Sequence, residues 1–80
     1  MKLPIISGKE ILSLLTKIGF EVKRQKGSHV TLYKRNNEEK GLYVTIPIHG
    51  NKELLPKTFA SILRQAGLSR EEFLKLWESK

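Results

Sequence analysis

Ile11, Leu14, Leu15 and Ile18 recur at a spacing that puts them on one face of a helix. "SGKE" before them reads as a capping box, with Ser7 capping the N3 amide and Glu10 reaching back. Ile6 and Ile11 bracket the cap as a hydrophobic staple, and Gly19 is a left-handed stop, so a helix is predicted over 8–18. Alternation follows: "FEVKRQ" predicts a strand near 20–25, "KGS" a short turn and "HVTLYKR" a strand over 29–35, together an antiparallel hairpin. "NNEEKG" reads as a polar loop over 36–41, and "LYVTIPI" as a third strand over 42–48. Pro47 lacks an amide for the ladder and belongs at an edge or at the strand's end. After the "HGNKEL" loop, Leu55, Phe59, Ile62, Leu63 and Ala66 fit a second amphipathic helix with Pro56 in its first turn, closed by Gly67. "SREE" then caps a short third helix carrying Phe73, Leu76 and Trp77.

The predicted order is α-β-β-β-α-α, an α+β fold with a three-stranded antiparallel sheet and helices on one of its faces. Side chains two apart share a face of a strand. Val30 and Leu32 therefore oppose His29, Thr31 and Tyr33; Leu42, Val44, Ile46 and Ile48 oppose Tyr43, Thr45 and His49; Phe20 and Val22 are the apolar pair of the first strand. The apolar face must lie under the helices, which leaves His29 on the opposite, wet face. It is there either as an exposed turn residue or as a reactive group.

Length changes the picture little: 80 residues make one domain, 1–80, with a modest core and no cysteine to supplement it. "MKLPIIS" is too short for a signal-peptide core and nothing later approaches a membrane span, so a soluble, cytoplasmic protein is expected. Charge changes more. The formal net charge is +7, and no acid occurs between Val22 and Asn37, where Lys23, Arg24, Lys26, Lys34 and Arg35 surround His29. Such a balance suits a polyanionic partner, although a solvated surface chosen for solubility carries the same signature.

The candidate chemistry is narrow. His29 and His49 stand in neither HxH nor HExxH spacing, and no Gly-rich phosphate loop occurs, so neither a metal nor a cofactor is expected. The chain has no aspartate, and its glutamates belong mostly to caps, loops or exposed helix faces. One reaction remains suited to an exposed histidine in a basic patch: attack of an RNA 2′-hydroxyl on the adjacent phosphorus. An imidazole can move the proton, and lysine or arginine can stabilise charge on the phosphate. A second acid/base group is open among His49, a lysine, Tyr33 and water, and His49 serves equally as a plain loop residue. Tyr33 and Tyr43 could stack bases or be ordinary cross-strand partners.

"SGKEIL", "GFEVKRQKGSH" and "VTIPIHGNKEL" followed by "ILRQAGLSREEF" carry a resemblance that spans nearly the whole chain from Ser7 to Phe73. On these segments the sequence closely resembles the HicA family of toxins from bacterial and archaeal toxin–antitoxin pairs. The resemblance implies a fold like the double-stranded-RNA-binding domain, α-β-β-β-α with a short C-terminal helix added. It implies an endoribonuclease that cleaves mRNA and inhibits translation, with the histidine of the Gly-Ser-His segment essential, here His29; the residue chemistry above makes that cleavage metal-independent. Lys23, Arg24, Lys26, Ser28 and Lys34 are the expected RNA contacts. A HicB-type antitoxin is the implied partner, the toxin being monomeric alone and part of a larger complex with it. Two positions depart from the pattern: Val30 stands where many members have a bulky polar residue or histidine, and Lys57 where many have the glycine of a Gly-Thr step. The competing readings are a non-catalytic RNA-binding module and an interaction module for an acidic protein.

Overall fold

A computed structural model describes residues 3–35 and 41–79, with the order α1 (Gly8–Lys17), β1 (Glu21–Lys26), β2 (His29–Arg35), β3 (Gly41–Pro47), α2 (Pro56–Ala66) and α3 (Arg70–Glu78). This is the predicted α-β-β-β-α-α arrangement around a three-stranded antiparallel sheet in the order β1-β2-β3. The loop expected over 36–41 lies outside the described residues except for Gly41, which opens β3.

The local signals act as their chemistry dictates. The Ser7 amide donates to Glu10 Oε1 at 3.0 Å and the Glu10 amide to Ser7 Oγ at 3.2 Å, completing the capping box of α1. Ile6 and Ile11 are both buried, as a staple requires. At the other end the Gly19 amide donates to the Thr16 carbonyl and the Phe20 amide to the Leu15 carbonyl, with Gly19 at φ +107. This terminator turns the chain so that Phe20 drops into the core. The same capping box recurs between Ser69 and Glu72 at the start of α3. That helix is held by the ring of Phe73, edge-on to Phe59 of α2 at 5.0 Å and stacked on Trp77 at 6.1 Å.

Ile11, Leu14 and Leu15 of α1 join Val30, Leu32, Val44 and Ile46 of the sheet and Phe59, Ile62 and Leu63 of α2 in one buried cluster. Both α1 and α2 lie over β3. The start of α1 comes so close that a Cβ at Gly8 would run into the Pro47 carbonyl oxygen and crowd the Ile46 and Ile48 side chains. From α2, Gln65 Oε1 accepts from the Thr45 amide at 3.1 Å, covering one of the ladder groups that β3 presents as an edge strand. Pro47 ends that strand, where its missing amide is harmless.

Two expectations of burial fail. Leu55, grouped with the apolar face of the second helix, is instead the N-cap residue before α2 and is exposed. Val22 is not part of a continuous apolar face: it is 55% exposed, and every residue of β1 is exposed. The helices sit at the β3 side of the sheet and β1 is the far edge, so no described element covers Val22 although it pairs with the fully buried Leu32.

Candidate functional site

The pairing register arranges the wet face in rows. Lys26, His29 and Pro47 lie abreast; Arg24, Thr31 and Thr45 form the next row; Glu21, Tyr33 and Tyr43 the third; Arg35 and Gly41 the last. Successive rows are about 6.7 Å apart, two residues of strand rise.

His29 owes its place to the hairpin. The loop between Lys26 and His29 is the two residues Gly27 and Ser28, and Gly27 takes φ +60, as primed hairpin turns demand at their first central position. The Ile48 amide donates to the Ser28 carbonyl at 2.6 Å, tying the turn to the end of β3. The imidazole of His29 is exposed, while Val30 behind it is buried. Lys26 is its direct cross-strand neighbour, with Cβ atoms about 5 Å apart in such pairs.

The basic run reaches this face through a bulge. Val22 pairs with Leu32 but Arg24 with Thr31, so Lys23 is an extra residue in β1. Strict alternation would have put Arg24 opposite Val30, on the helix side. With the bulge, Arg24 and Lys26 both emerge beside Thr31 and His29. The Lys23 ammonium also comes to this face, 5.7 Å from the centre of the Tyr33 ring. Arg35, abreast of Gly41, adds a further cation.

Lys34 does not belong here. It shares the parity of Val30 and Leu32, and its ammonium lies 5.7 Å from the centre of the buried Phe20 ring with its stem against Gly19. Nearness in sequence put Lys34 beside His29; strand alternation takes it to the opposite side of the sheet, and Arg35 holds the position expected of it. Alternation alone could have found this.

The two histidines stand at the same end of the sheet but in different settings. His49 lies two residues past Pro47, before a turn in which the Lys52 amide donates to the His49 carbonyl at 3.0 Å. It lines a cleft of about 250 Å³ with Lys52, Glu53 and Thr58, toward the start of α2. Tyr33 is two rows, about 13 Å, from His29. The Tyr33 ring leans farther away, against Gly41 in the last row, and so does not face a phosphate beside His29. Ser28 is half-buried at the turn. Among the described residues no three His, Cys, Asp or Glu side chains gather as metal ligands, and no helix is long and apolar enough to cross a membrane.

An exposed imidazole beside a lysine, on a face supplied with further cations, can exchange protons with a bound anion and stabilise its charge. A family model described as "HicA toxin of bacterial toxin-antitoxin" matches residues 8–68, more than half of the chain and all of the rows described above. No curated protein matches the chain.

Proposed function

The chain belongs to the HicA toxin family, and from that premise we propose that it is an endoribonuclease that cuts mRNA and so stops translation, with His29 moving the proton. Membership of a toxin–antitoxin family implies an antitoxin partner. We take that partner to be HicB-type, binding over His29 in a larger complex and leaving a monomeric toxin when it is lost. The observation that carries the reading is the exposed His29 ring, held on the wet face by a two-residue turn with Lys26 directly abreast.

In this mechanism the 2′-hydroxyl oxygen attacks the adjacent phosphorus, and the bond from phosphorus to the 5′ oxygen breaks. The products are a 2′,3′-cyclic phosphate and a 5′-hydroxyl. Neutral His29 takes the 2′-hydroxyl proton, or its protonated form gives one to the leaving oxygen. Lys26 and Arg24 face the phosphate and stabilise the charge growing on it, with Lys23, Ser28 and, farther along, Arg35 as further RNA contacts. The second proton-transfer group is His49, Lys26 or water; Lys26 is abreast of His29, and His49 follows two residues after Pro47, the β3 partner of His29. Every step uses groups of the chain or solvent and none requires a metal.

The test compares the protein with His29→Ala. Expressed from a tight promoter, the unaltered protein is expected to arrest growth and the variant to allow it. Purified, the unaltered protein is expected to cut RNA in EDTA and leave cyclic phosphate ends, while the variant binds RNA without cutting. His29 is exposed, so the variant keeps the fold. Equal growth arrest by both proteins would remove His29 from the mechanism. Loss of cleavage in EDTA would require a metal. RNA bound but never cut by the unaltered protein would make it a binding module.

A further inference from the structure

The third and fourth rows of the wet face hold side chains that proton transfer at His29 does not use. Tyr43 is 56% exposed, an unusual state for a large aromatic in the middle of a strand. Tyr33, its direct cross-strand partner, lies 4.9 Å away between ring centres with the two planes tilted by 51°. The Tyr33 ring leans diagonally over Gly41, where a Cβ would overlap its Cε1 and Cζ atoms. Glycine at this position therefore lets Tyr33 lie down on the sheet. The Lys23 ammonium fixes Tyr33 further. Tyr33, so held, flanks Tyr43 on one side and leaves most of the Tyr43 ring to solvent.

A ring exposed in this way, about 13 Å from His29 along the same face, has a natural ligand class. Arg24 and Lys26 line the way between, and Arg35 stands beyond it. Glu21 is the only acid among the described residues of these rows. Cations that track a phosphate backbone, with an aromatic face beside them, are the features by which sheet proteins hold single strands. Paired bases are stacked inside a duplex and cannot reach such a ring.

We infer that Tyr43 is a stacking platform for an unpaired base of single-stranded RNA, a few nucleotides from the phosphate held at His29. Tyr33, Gly41 and Lys23 position it. The inference rests on the proposed RNA-cutting function for its choice of ligand and adds that the substrate is unpaired at this distance from the cut.

The test separates binding from cleavage. In a His29→Ala background, Tyr43→Ala and Tyr43→Phe are titrated with a fluorescent single-stranded RNA and with a duplex of the same sequence, and folding is checked by thermal melting. Tyr43→Ala is expected to weaken single-strand binding about 5- to 150-fold, the range of one base–aromatic stack. Tyr43→Phe is expected to restore it, and duplex binding is expected to stay unchanged. With His29 present, Tyr43→Ala is expected to raise KM and leave kcat nearly intact. Unchanged single-strand binding by Tyr43→Ala would overturn the platform, and so would an equal loss for duplex. Loss of antitoxin binding with RNA affinity preserved would make this face a protein interface. A protein that never cuts RNA yet binds single strands through Tyr43 would sink the nuclease and leave the platform standing.

Discussion

The division of cations between the two faces of the sheet predicts how RNA binding responds to salt. Lys23, Arg24, Lys26 and Arg35 are on the side of His29, and Lys34 is on the other with its ammonium over Phe20. Each phosphate neutralised on a single strand contributes about −0.7 to the slope of log affinity against log salt. If every wet-face cation meets a phosphate, the slope approaches about −2.8, and affinity falls roughly 50-fold between 50 and 200 mM salt. Arg24→Gln is then expected to make the slope shallower by about 0.7, and Arg35→Gln by a similar amount. Lys34→Gln is expected to leave it unchanged. The assay is fluorescence anisotropy of a short single-stranded RNA over a salt series, in a His29→Ala background so that the RNA survives. A slope change for Lys34→Gln equal to that for Arg24→Gln would refute the assignment of faces. A slope near zero for the His29→Ala parent would remove the phosphate contacts altogether.

Three further outcomes follow from the packing. Gly8→Ala drives a Cβ into the Pro47 carbonyl and the Ile46 and Ile48 side chains, so α1 must withdraw from β3; a loss of about 1–3 kcal/mol is expected in urea unfolding, and an unchanged midpoint would contradict the close approach. Leu32→Ala empties a fully buried site and is expected to cost about 2–5 kcal/mol, whereas Val22→Thr, at its exposed partner, is expected to stay within about 0.5 kcal/mol; similar losses at both would restore Val22 to the core. The Ser69 backbone amide, and then its side chain, hold the Glu72 carboxyl below the usual carboxylate range. A depressed folded-state pKa adds stability that is present above the unfolded value and lost as pH falls through the folded one. Thermal melting should therefore show Glu72→Gln less stable than the unaltered protein at neutral pH, with the difference shrinking in acid below the ordinary carboxylate range; a difference that grew on acidification would reverse the sign.

The sequence by itself determined everything that depends on near neighbours. Capping boxes at Ser7 and Ser69, glycine stops at Gly19 and Gly67, and the Gly27–Ser28 turn each act within a few residues, and each is present in the fold. The wet-side position of His29 was equally legible, because alternation along β2 is local and Val30 beside it had to be buried. The same alternation places Lys34 with Val30 and Leu32, whatever its distance along the chain from His29.

Tertiary structure alone decided the rest. The extra residue at Lys23 is defined only by its partner strand, since a bulge is a mismatch between two chains and leaves no period in either one. Val22 looked like core because its own strand alternates, but burial is conferred by what lies above a residue, and α1 and α2 lie over β3. Gly8 and Gly41 read as ordinary glycines until Pro47 and the Tyr33 ring are brought against them. A periodic pattern says which way a side chain faces; what it meets there is set by segments distant in the chain, through packing that no local window contains.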